Sequence, residues 1–150
     1  MPNDIVIKDC RLVDHSFHAR YDVKSKIYHY KILNRKVPRA IGRQYAWFIR
    51  RKLDIPAMRN AIACIVGAHD FKSFEGTGSP RSHAIRNVSK ADLTEDEDGF
   101  IIFSIEADGF LRYMVRNIVG TLVNMGLGKI TATKFKDIDY LALTLRNSRL

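Results

Sequence analysis

At 150 residues, 46% of them hydrophobic, the chain is long enough to bury one core and too apolar for a disordered tail. Its 25 lysines and arginines against 16 acids give a net charge of +9, which favours a polyanionic partner. The only two cysteines, Cys10 and Cys64, lack CxxC or Cys/His spacing, so no disulfide framework or metal site is indicated.

The N-terminus "MPNDIVIKDC" carries acids where a secretory leader needs lysines, and no apolar run reaches the roughly 18 residues of a membrane span. A soluble, cytoplasmic protein of one domain, residues 1–150, is the expectation. From Arg20 to Lys52, eleven bases face one acid, Asp22, a local balance of +10. Such a block attracts phosphates, and its interleaved Tyr28, His29, Tyr30, Tyr45, Trp47 and Phe48 suit base stacking; the competing reading is a solvated basic face. Lys24 to Asn34 alternates as a strand, with Tyr28, Tyr30 and Ile32 on one face and Ile27, His29, Lys31 and Leu33 on the other.

"LDIPAMRNAIACIVG" reads as a helix. Asp54 is its N-cap, Pro56 lies in the first turn, Met58, Ile62 and Ile65 form the apolar stripe, and Gly67 closes it. "HDFKSFEGTGSPRSHA" has the composition of a loop around Phe71 and Phe74. Ile85–Lys90 and Gly99–Ala107 form a predicted hairpin joined by the acidic "ADLTEDEDG". In "DGFLRYMVRNIVGTLVNMGLGK", Asp108 is the expected N-cap, Phe110, Met114, Ile118 and Leu122 form one stripe, and Leu111, Val115, Val119 and Met125 lie beside it. Thr131 or Thr133 caps a last helix containing Phe135, Ile138, Leu141 and Leu145. The order predicts an α+β fold, an antiparallel sheet covered by helices on one face.

"GTGS" and "GLGK" suggest a nucleotide loop, but Val123 and Ile130 stand where a Walker loop needs glycine and a hydroxyl residue. Lys129 instead suits the negative end of a helix dipole. Met114 and Met125 read as core, and Cys10 and Cys64 as small buried hydrophobes. Arg116, inside so apolar a helix, is either part of a solvent-facing edge with Arg112 and Asn117 or half of a buried ion pair.

Taken together, "FHARYDVKSKIYHYKILN", "HDFKSF" and "DGFLRYMVRNIVGTLVNMGLGK" resemble the C-terminal half of the TruA-type tRNA pseudouridine synthases, from about Pro2 to about Ile138. The resemblance implies half of a pseudouridine-synthase fold. It also implies isomerisation of uridine to pseudouridine in the anticodon arm of tRNA, without metal or organic cofactor, by a homodimer. Tyr28 matches the tyrosine that packs on the target uracil, and Arg116 the arginine that pairs with the catalytic aspartate. Phe17, His18 and Arg20 match the cleft-edge "FHAR", where Arg20 suits a phosphate, with Lys24 and Lys26 as further backbone contacts. His69, Asp70 and Phe71 match "HDF", for which a role in shaping the cleft competes with chemistry.

The nucleophilic aspartate of the family belongs to an Arg-Thr-Asp-Ala-Gly element, and no such string occurs in the 150 residues. Asp70 and Asp108 do not replace it, since neither has the strand-end context. After "FKDI" the family pattern of Gly, Thr, Ala and Pro gives way to "DYLALTLRNSRL", an end incomplete by comparison. Two readings follow: the cleft-forming half of a pseudouridine synthase, inactive alone, or a noncatalytic RNA-binding module.

Overall fold

Alternation decides the central strands of the computed structural model, which describes residues 2–78 and 83–136. In β5 (Phe100–Ala107), Ile101, Phe103, Ile105 and Ala107 are buried, while Ile102, Ser104 and Glu106 are only partly so. β1 (Lys26–Asn34) runs antiparallel to it and sets Tyr28 opposite Ile105, Tyr30 opposite Phe103 and Ile32 opposite Ile101. Directly opposed residues share a face, so the aromatic face expected for β1 is the face that joins the core.

On the other side of β5 lies β4 (Ile85–Glu95), with an irregularity in register between Val88 and Lys90, followed by β3 (Gly67–Asp70) at the sheet edge. β2 (Trp47–Ile49) completes the order β2-β1-β5-β4-β3. The fold is α+β as expected, and its sheet is antiparallel except for one pair: β2 runs parallel to residues 32–34 of β1. Lys26–Lys31 therefore have no strand partner on their second edge among the described residues.

Helices cover one face. α1 (Ile55–Ile62) starts where Asp54 Oδ1 accepts the Ala57 amide at 3.0 Å, and it buries Ile55, Met58, Ala61 and Ile62. A 3-10 turn over Ala63–Ile65 carries the stripe on to Ile65. α2 (Met114–Gly126) packs Met114, Ile118, Leu122 and Val119 into the same core as Phe103 and Ile105. Where α1 and α2 approach, a Cβ at Gly126 would meet Met58 Sδ at 2.7 Å, so only glycine fits that crossing. α3 (Ala132–Lys136) begins as Thr131 Oγ1 accepts the Lys134 amide, and it sends Phe135 into the core. Ile138, Leu141, Leu145 and "DYLALTLRNSRL" lie outside the described residues.

Five sequence expectations change, the first being that Gly67, expected to close the first helix, opens β3 after the 3-10 turn. The acidic stretch after Lys90 is not all turn: β4 continues to Glu95 because Ala91 and Leu93 alternate onto the core face, Leu93 being buried. The reversal itself is Asp96–Gly99, closed by Asp96 Oδ1 accepting the Phe100 amide at 2.8 Å. His69 and Asp70, expected in a loop, end β3. α2 starts at Met114 rather than beside Phe110, and Asp108 accepts the Asn87 amide at 3.1 Å from across the sheet instead of capping the helix. Cys10 is exposed and Cys64 only partly covered, since the segment bearing Cys10 packs on nothing described.

Candidate functional site

β1 grades from core to surface along its aromatic face. Ile32 is fully buried, Tyr30 packs against the core, and Tyr28 is 50% exposed. Phe110 meets the Tyr28 ring edge-on at a centroid distance of 4.9 Å. One side of Tyr28 is thus held while the rest is offered to solvent, the arrangement of a stacking surface.

Beside this face runs an open groove of about 520 Å³, lined by His29, Tyr30, Lys31, Tyr45, Trp47 and Arg116 among others. It follows the strand edge that β2 leaves unpaired, and the 3-10 turn Arg43–Tyr45 forms its far wall. Arg116 and Arg112 are exposed, as the solvent-facing alternative expects, but Asn117 is half-buried and Arg116 is the one exposed residue of α2. Among the described residues it joins no carboxylate; its guanidinium lies 5.6 Å from the centroid of the Tyr113 ring. Tyr30 and Arg116 line this groove, and Tyr28 lies two residues from Tyr30 on the same strand face, outside the lining.

A second groove, of about 260 Å³, shares Lys31, Tyr45 and Ala46 with the first. Its apolar floor is Leu33, Phe48 and Phe100, and Arg39 and Arg43 stand on its rim. Arg39 lies 5.3 Å over the Phe100 ring. Apolar floors beside unpaired cations suit bases joined by phosphates. All eleven bases of the Arg20–Lys52 block are exposed except Arg35, which is half-buried.

"FHAR" is a turn built around His18. His18 Nδ1 faces the amides of Arg20 at 3.2 Å and Tyr21 at 3.3 Å, and its own amide donates to Asp22 Oδ2 at 2.6 Å. Its ring also packs on Tyr21 at 4.3 Å. His18 therefore shapes the turn, while Phe17 (54% exposed), Arg20, Lys24 and Lys26 face solvent. Just before it, the Asp14 carboxylate accepts the Ser16 hydroxyl and amide, which hold it below its ordinary pKa.

The residues of "HDF" are all engaged locally. His69 Nε2 donates to the Val66 carbonyl at 2.9 Å, Asp70 Oδ1 accepts the Lys72 amide at 2.9 Å, and Phe71 is fully buried. These bonds fix the turn over Lys72–Phe74, and Asn117 Nδ2 ties that turn to α2 through the Phe74 carbonyl at 2.8 Å. The side-chain hydrogen bonds of His69 and Asp70 are local, and none of the three residues lines either groove.

Two residues of the site have no role in the sequence reading. Asn34 donates to the carbonyls of Ile49 and Arg51 and accepts the Leu53 amide, stitching the groove-wall segment to β1. Tyr113 stands between the two arginines at the start of α2; its signal was an aromatic residue one after Arg112 and three before Arg116. Among the described residues no three His, Cys, Asp or Glu side chains gather as a metal site, and no helix is long and apolar enough to cross a membrane.

Residues 61–147 match a family model described as tRNA pseudouridine synthase. The chain is 43% identical over 139 residues to tRNA pseudouridine synthase A of Clostridium botulinum (strain Eklund 17B / Type B), covering 93% of the chain and 55% of the relative. It is 46% identical over 138 residues to the protein of that name from Thermoanaerobacter sp. (strain X514), covering 92% and 56%. A third, from Acetivibrio thermocellus, is 43% identical over 138 residues, covering 92% and 56%. The chain spans about half the length of these relatives.

Proposed function

The chain belongs to the tRNA pseudouridine synthase family, and we propose that it is the RNA-binding, cleft-forming C-terminal half of an enzyme that isomerises uridine to pseudouridine in the anticodon stem-loop of tRNA. The observation that carries this reading is the groove at the open edge of β1, which Arg116 lines beside Tyr30 without a carboxylate partner among the described residues, with half-exposed Tyr28 two residues along the same strand face.

The chemistry asks little of the chain beyond holding a base and a carboxylate. The N1–C1′ glycosidic bond breaks, the uracil turns, C5 bonds to C1′, C5 loses its proton and N1 gains one, so no cofactor is consumed. An extruded uracil has lost its stacking neighbours, and the Tyr28 face replaces one of them. The attacking carboxylate comes from the aspartate element that these 150 residues lack, and Arg116 keeps it ionised and aimed. Arg20, Lys24 and Lys26, beside Phe17 and the His18 turn, take the RNA backbone. The whole enzyme is a cytoplasmic homodimer.

One specific observation favours a second reading for the chain alone: no Arg-Thr-Asp-Ala-Gly string occurs in it. By itself it is then a noncatalytic module that binds RNA. The deciding assay is pseudouridine formation on unmodified tRNA by the chain, with and without the uncovered N-terminal segment of the Thermoanaerobacter relative as a second polypeptide. Product only with both polypeptides is expected. Product from the chain alone means that the nucleophile lies within it; none from either, with RNA bound, leaves the binding module.

A further inference from the structure

Tyr113 is the one non-glycine residue with positive φ among the described residues, at φ 60° and ψ 4°. That conformation crowds a side chain, and glycine or asparagine adopts it more readily. A tyrosine kept there is a candidate for function, because local strain persists where the surroundings enforce it. Burial does not account for it, since Tyr113 remains 48% exposed.

The surroundings do enforce it. A Cβ on Gly76 would collide with Tyr113 Cδ2 and come within 3.2 Å of Cγ, so the ring lies directly against the Gly76 backbone. The Gly76 amide donates to the Arg112 carbonyl at 2.8 Å. Arg112 Nη1 donates in turn to the carbonyls of Thr77 and Gly78 at 3.2 and 3.3 Å. These contacts join the strand-to-helix junction, the 76–78 loop and the ring.

Two guanidinium groups approach that ring, Arg112 at 5.1 Å and Arg116 at 5.6 Å from its centroid. They are not equivalent. Arg112 is anchored by two carbonyls, whereas Arg116 has the ring and the groove and no hydrogen-bonded or ionic partner among the described residues. An exposed arginine otherwise samples many rotamers. An aromatic face within about 6 Å attracts a guanidinium and narrows that range without neutralising it. We infer that Tyr113 is a positioning residue: its ring, set by the left-handed turn and braced on Gly76, holds the Arg116 guanidinium at the groove. The consequence for turnover rests on the function proposed above; the hold itself does not.

Three substitutions separate ring, hydroxyl and brace. Tyr113→Gly removes the ring while relieving the backbone, so the melting temperature should hold or rise. In the two-polypeptide enzyme kcat should nevertheless fall by about tenfold or more, with KM for tRNA changed less than about twofold. Tyr113→Phe should restore kcat. Gly76→Ala, which displaces the ring and leaves both residues chemically intact, should reproduce the loss. Independently of activity, the Arg116 Nε–H resonance of the labelled chain should carry an upfield ring-current shift that Tyr113→Gly abolishes and Tyr113→Phe keeps. Wild-type kcat in Tyr113→Gly, a loss in Tyr113→Phe as large as in Tyr113→Gly, or an Arg116 resonance that Tyr113→Gly leaves unmoved would each overturn the inference. An intact ring-current shift in an enzyme that makes no pseudouridine would instead overturn the proposed function and leave the hold standing.

Discussion

Tyr28, Arg116 and Asn34 separate function from stability at the scale of single side chains. Tyr28 is half-exposed and touches Phe110 edge-on, so Tyr28→Ala should cost about 1 kcal/mol or less of stability while lowering turnover of the two-polypeptide enzyme far more. A thermal melt beside a turnover assay checks this, and a purely thermal defect would remove the stacking role. Arg116→Ala should leave the stability of this chain within about 0.5 kcal/mol, because the exposed guanidinium pairs with no described carboxylate. Its cost should appear in pseudouridine formation. Asn34 behaves oppositely: Asn34→Ala abandons the two carbonyls of Ile49 and Arg51 and the Leu53 amide, and should destabilise by about 1–3 kcal/mol in a denaturant titration. Tyr28 and Arg116, the positions proposed for chemistry, stand out in the sequence because motifs mark them. Asn34 does not, because its three partners lie fifteen to nineteen residues ahead in the chain.

Elements were legible wherever one period dominates a segment. The face of β1, the Asp54 cap and the stripe of α2 follow from alternation, capping chemistry and 3.6-residue spacing. Errors fell where charge overrode periodicity, as at Asp92 and Glu95, which β4 carries because Ala91 and Leu93 between them turn inward. The start of α2 was misplaced because the junction is set by the left-handed turn at Tyr113 and its fit to Gly76, a contact between segments far apart in sequence. The helix crossing makes its own test. Gly126→Ala would drive a Cβ to 2.7 Å from Met58 Sδ and 3.2 Å from Leu53 Cδ2, and should cost about 1–3 kcal/mol through overpacking. Pairing it with Met58→Ala should recover part of that loss, as non-additivity in a double-mutant cycle.

For the molecule as a whole, charge and fold work on opposite sides of the same surface. The basic block from Arg20 to Lys52 spans β1, β2 and the connection between them with their flanks, and it places Lys31, Arg39 and Arg43 on the two grooves. Binding of tRNA by the chain should therefore weaken steeply with added salt, and Arg39→Gln with Arg43→Gln should reduce the slope of log K against log salt by about 2. A flat salt response in filter binding or fluorescence titration would remove the phosphate-contact argument. The sequence by itself determined the α+β class, the family, the aromatic face of β1 and the basic block from Arg20 to Lys52, since each rests on composition, short motifs or short-range periods. Only the tertiary structure decided that β2 runs parallel to the end of β1 and leaves Lys26–Lys31 unpaired, that Arg116 faces solvent, and that Tyr113 stands against it. Those outcomes depend on which distant segments pack together, and packing partners are not written in any local stretch of the chain.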